Sequence, residues 1–197
     1  MSDLCADVGF MQTRGRLLGW LGEGAREVHW ALCALPRDRW TVTPAPRLSA
    51  WSALRHARYL ALREQLVTVP AVRHILDEGE AGPNSLLFEQ TEAAWDPRGA
   101  QDSAEEWLQQ LSAARFDLLR YVEGAPESAW GDVELSPGQV GRPPRLVAQL
   151  LGAKQQELEH LAAMWRIALY WDRVSPTTLR EAQDGSVGLS LHPADTA

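Results

Sequence analysis

Lysine is almost missing from this sequence: Lys154 is the only one, every other basic side chain is arginine, and the net charge is −7. There is no run of basic residues to neutralise a phosphate backbone, so no nucleic-acid partner is expected. Cysteine is scarce as well. Cys5 and Cys33 stand far apart and without metal-ligand spacing, which argues against a disulfide framework and for a reducing compartment. No segment approaches the roughly 18 consecutive apolar residues of a membrane span. Met1 to Asp7 has neither a basic start nor an apolar core, so no secretory signal is read there. The expectation is a soluble, cytoplasmic protein with no membrane partner. Also lacking are a glycine-rich phosphate loop, a serine in a strand-to-helix elbow and a CxxC pair, which removes the nucleotide and nucleophile motifs.

What is present is helical periodicity in a chain of 197 residues, enough for one domain with a full core. The nine tryptophans read as fillers of wide gaps between helices. The spacing of Leu17, Leu21, Val28, Leu32 and Leu35 predicts a first helix over 12–35, stopped by Pro36. Ser49 reads as the N-cap of a second helix through Leu54, Ala57, Ala61 and Leu66 to Val69, with 71–78 as a bent extension past Pro70 or a separate short helix. A short helix is expected over 85–95. Ser103, with Glu106 three residues on, forms a capping box for a third long helix carrying Trp107, Leu111, Ala114, Leu118 and Val122. Glu105 and Glu106 read as solvated first-turn charges. The fourth begins near Pro143 or Pro144 and carries Val147, Leu150, Leu151, Leu158, Leu161, Trp165 and Ala168 to about Trp171. The domain is placed at 1–172. Residues 173–197 lose periodicity and read as a tail.

An internal echo accompanies these elements. Pro36 precedes Trp40 by four residues at the exit of the first helix, and Pro126 precedes Trp130 in the same way at the exit of the third. The chain therefore reads as two helix–loop–helix halves, whose apolar stripes bury against each other in an all-α, four-helix arrangement.

Five histidines are available for chemistry: His29, His56, His74, His160 and His192. His29 reads as a packing residue, His74 falls in the bent extension and His192 in the tail. His56 on the second helix and His160 midway along the fourth are placed differently. Helix positions four apart share a face, so Gln156 lies one turn before His160, with Glu157 beside it. Two histidines from facing helices and a third group one turn away make an open metal site, and zinc or nickel suits imidazole.

With those residues in hand, the chain resembles the DinB-like superfamily over roughly 12–171. The resemblance rests on Leu35-Pro36 leading to Trp40, on the capped second helix with an early histidine (Ser49, His56), and on His160 followed by Leu161-Ala162-Ala163-Met164-Trp165-Arg166. It implies an up-and-down four-helix bundle with a long crossover, a homodimer, and a small-molecule ligand in the bundle cleft. It also implies a divalent metal, zinc or nickel, held by His56, His160 and the position of Gln156. The family usually has histidine, sometimes glutamate, where this chain has Gln156, so the site is read as incomplete. Activities implied by the resemblance are metal-dependent thiol S-transfer or hydrolysis, with Glu157 or water completing the shell. A stress-related protein of unassigned activity and a non-catalytic helical interaction module are the other readings.

Overall fold

The computed structural model describes residues 3–45, 48–77, 81–97, 104–130 and 145–173. Among them there is no strand. The helices are α1 (Asp3–Cys33), α2 (Ala53–Arg63), α3 (Val69–Leu76), α4 (Ser85–Ala93), α5 (Ala104–Glu123), α6 (Glu127–Trp130) and α7 (Arg145–Arg173), with a 3₁₀ turn at Arg37–Arg39. The first helix begins well before the expected position 12. The expected cap at Ser103, the turn at Pro143 and Pro144 and the tail from 174 lie outside the described residues, as does His192.

Two boundaries differ from the sequence reading for identifiable reasons. The N-cap of α2 is Ser52, not Ser49: the Ser52 side chain accepts from the Arg55 N–H. Ser49 spends its hydroxyl on Trp51 and His56 instead. The bend before Pro70 is a π turn over Glu64–Thr68 joining α2 to α3. Proline has no N–H to give the carbonyl four residues back, and its ring crowds that carbonyl. Here that carbonyl belongs to Leu66. It is met from outside the helix by the N–H of Asn84, at 2.9 Å, which is also the residue whose side chain caps α4. The crossover between α3 and α5 is thereby fastened to the helix flaw. It is fastened again where Glu92 of α4 accepts from Arg55 at 2.9 Å and Arg58 at 3.1 Å.

α1 and α2 each pack against both α5 and α7. Two apolar clusters fill the space between them. One joins Val28, Leu32, Leu54, Ala61, Leu111, Leu161 and Met164 and is closed by Trp40. The other joins Leu21, Val72, Leu118, Val122, Leu146 and Leu150 and is closed by Trp130. The sequence echo has a physical counterpart, because each Pro-to-Trp phrase forms a short helical turn and seals one end of the core. The order of residues within the clusters sets the directions: α1 and α7 run one way, and α2–α3 and α5 the other.

A layer of charge separates the clusters. Arg115 donates to Glu64 at 2.6 Å and to Glu157 at 2.5 Å, and also to the carbonyl of Leu21. Lys154 donates to Glu157 and, at 2.8 Å, to the carbonyl of Trp20. All four side chains are buried. Gly24 makes room, since a Cβ built there would land on the Glu157 carboxylate. Burial pushes the Glu64 carboxyl above its ordinary range, and Arg115 pulls it back.

Removing one member of a buried, mutually satisfied ion cluster strands the others, at a cost of about 3–5 kcal/mol. Arg115→Met is therefore expected to lower unfolding free energy in urea by that amount. Gly24→Ala, which adds one methyl group, is expected to cost more than Gly19→Ala, where nothing lies within 4 Å of the added carbon.

Candidate functional site

α2 and α7 bring His56 and His160 together. Their Nδ1 atoms are 2.8 Å apart. His56 lies in the first turn of α2, its N–H bonded to the Ser52 carbonyl, a turn earlier in the helix than the sequence reading placed it. Its Nε2 is 2.9 Å from the Ser49 hydroxyl, and that oxygen accepts the Trp51 N–H at 3.0 Å. The Ser49 hydroxyl thus holds His56 Nε2 while accepting from the backbone of the loop before α2. One of the two Nδ1 atoms carries the proton that the other accepts, so the imidazoles form a single hydrogen-bonded pair. The Tyr59 ring stacks on His160 with centroids 4.2 Å apart, and Trp51 stands 5.3 Å from His56 and 5.6 Å from His160. Gln156, half-buried, accepts a long bond of 3.4 Å from the Tyr59 hydroxyl.

Charge around the pair is positive. His56 is pushed down to about 3 by burial first, then by His160, Arg166 and Arg55. His160 is pushed down to about 4 by burial, with Glu159 opposing and Arg63 adding to the effect. Both imidazoles are therefore neutral at pH 7, with lone pairs to give. Two nitrogens bound to one tetrahedral ion at about 2.1 Å stand about 3.4 Å apart, so at 2.8 Å the rings are placed for a hydrogen bond to each other. The third donor is the weaker part: Gln156 is a neutral amide. Among the described residues, no group of three His, Cys, Asp or Glu side chains could hold an ion.

Glu157 does not belong to this cleft. It is 2% exposed and committed to Arg115 and Lys154 on the core face of α7, so the expectation that it completes a metal shell is corrected. The heptad of helix geometry explains it: Glu157 shares the face of Leu150, Leu161 and Met164. His29 is not a packing residue; it is exposed on α1, with Nε2 3.4 Å from the Cys33 sulfur. His74 is exposed on α3. Glu105 and Glu106 are exposed, as expected, though Glu105 pairs with Arg37. Sequence reasoning missed Ser49, Trp51, Tyr59 and Arg63 as neighbours of the histidine pair. Tyr59 and Arg63 lie three and seven residues after His56, the spacing of one helix face, and that pattern was a usable signal.

Compared with known proteins, the chain matches no protein-family model, no curated protein and no solved structure. Its candidate site therefore stands on its own geometry.

That geometry has a pH signature. In the metal-free protein both histidines have folded pKa values below the unfolded value near 6.5, so the unfolded chain takes up protons first. The stability they confer is complete above about pH 6.5 and is lost as pH falls toward 4 and then 3, at about 1.4 kcal/mol per pH unit for His56. Imidazole NMR resonances of His56 and His160 are expected to stay unshifted from pH 7.5 to 5. A His56 resonance moving with a midpoint near 6.5 overturns this description.

Proposed function

We propose that the chain is a DinB-like four-helix bundle whose interhelical cleft binds a small ligand with the help of a weakly held divalent metal. The observation that carries this is the approach of His56 and His160 to 2.8 Å across α2 and α7, with Gln156 one turn earlier on α7. The long crossover through α4, and α1 and α7 running opposite to α2–α3 and α5, support the bundle assignment. The metal residues of this reading are His56, His160 and Gln156, and zinc or nickel is the fitting ion. When bound, such an ion supplies Lewis acidity.

The protein's own groups define what the ligand looks like. Arg63 has a buried Nε with no hydrogen-bond partner among the described residues, and its charge is felt at His160. An orphan guanidinium donor is the complement of an anionic group, so the ligand of this reading carries a carboxylate or similar anion. His56 and His160 are hydrogen-bonded through their Nδ1 atoms, with Ser49 behind them, and their neutral rings suit them to offer lone pairs and not to take up a proton. Trp51 and Tyr59 line the pair with aromatic surface. A metal-dependent thiol S-transferase or a small hydrolase fits these groups; a stress-related binding protein without turnover uses the same cleft. The resemblance to the DinB-like superfamily extends to a homodimer within this reading.

Two imidazoles and a neutral amide leave most of an ion's shell to water. Gln156→His puts an imidazole at i−4 to His160 on the same helix face. It is expected to raise zinc and nickel affinity at least ten-fold, about 1.4 kcal/mol, by titration calorimetry, and His56→Ala is expected to abolish binding in either background. Tight stoichiometric binding by the unaltered protein overturns the reading of Gln156 as a weak donor. No gain in the variant overturns the convergence of the three positions.

A further inference from the structure

Leu151, Leu158, Trp165 and Leu169 were expected in the core series or left out of it, yet all four are exposed. With Gln155 and Ala162 they follow alternating steps of four and three residues along α7. That is the spacing of a coiled-coil seam, and it is additional to the core stripe of Leu150, Leu161, Met164 and Ala168. At about 100° per residue the second stripe lies roughly a quarter turn from the first, on the flank opposite His160. Trp20 of α1 stands at its edge. Together Trp20, Leu151, Gln155, Leu158 and Ala162 line an open groove of about 530 Å³ along the N-terminal half of the stripe.

We propose that this face is the interface of an antiparallel, two-fold dimer of this chain, α7 against α7. A helix that carries a groove in one half and large apolar side chains in the other is complementary to itself when reversed, which is the condition for an isologous contact. With the two-fold axis near Ala162, Trp165 and Leu169 of one copy fall over the groove of its partner. Alanine at the crossing point lets the helices approach closely. Glu159 and Arg166, both exposed beside the seam, then come opposite each other across the axis, once on each side, so the charge pattern is matched in this orientation. The area is also adequate. Trp20 is 55% exposed, Leu151 45%, Leu158 50%, Trp165 39% and Leu169 56%. At about 200 Å² for a whole large side chain, they offer roughly 500 Å² of apolar surface per copy. That is toward the top of the range a monomer leaves to water, roughly 300–600 Å². With a polar rim it approaches the roughly 800 Å² per partner of a standard interface. The inference names a surface for the homodimer mentioned above but does not need the metal reading.

Sedimentation equilibrium on the full chain tests it. The unaltered protein is expected to be a dimer, and Leu158→Arg a monomer with the same helical circular dichroism and the same zinc titration. Glu159→Arg is expected to weaken the dimer at least ten-fold, and adding Arg166→Glu to restore it, a rescue that only the antiparallel arrangement gives. A dimer indifferent to Leu158→Arg overturns the proposal. So does a monomer, whether hydroxyl-radical footprinting finds Leu158 and Trp165 open to solvent or shielded by another part of the same chain. Loss of the dimer signal with metal binding intact counts against this interface alone; the converse counts against the cleft alone.

Discussion

Arg115 is the side chain on which the rest of the interior depends. It reaches Glu64 on the π turn, Glu157 on α7 and a carbonyl of α1 from its own place on α5, so a single guanidinium touches every long helical segment. Hydrophobic contacts tolerate sliding; a fork of donors facing two fixed carboxylates does not. The layer therefore sets the axial register of the four segments. Everything above and below it, including the height at which His56 meets His160, follows from that register. Such an ion cluster adds little net stability compared with an apolar replacement, and its effect lies in excluding shifted packings.

The neutral histidine pair sits one turn of α7 from this charge layer, and the two neighbours could not be more different. Lys154 and Glu157 are tied to each other, and Glu157 also to Arg115. His56 and His160 are held uncharged because burial and the arginines nearby oppose a proton. Helix α7 thus carries three separate faces: one for the core and its ions, one for the cleft, and one of exposed leucine and tryptophan.

The helices were legible in the sequence because their apolar residues recur at a strong period, and the Pro-to-Trp echo was legible because the two phrases repeat in type and spacing. The juxtaposition of His56 and His160 was legible through the resemblance more than through periodicity, since His160 lies at the edge of its core stripe. The cap at Ser52 was missed because Ser49 and Ser52 offer the same chemistry, and only the fold decides which serine is drawn to His56. The ionic layer was missed because Arg115, Glu64 and Glu157 are ordinary helix residues taken singly. Their signature is a charge on an apolar stripe, Arg115 between Leu111 and Leu118, and it becomes meaningful only when the complementary charges on other helices are aligned. The outer face of α7 was misread because leucine at helical spacing does not announce which of two stripes faces inward.

The missing amide of Pro70 turns a helix flaw into a mooring. A carbonyl that proline cannot satisfy stays available to another part of the chain, and Asn84 takes it at 2.9 Å. The same residue caps α4 with its side chain, so one asparagine both starts a helix and ties that start to the segment before Pro70.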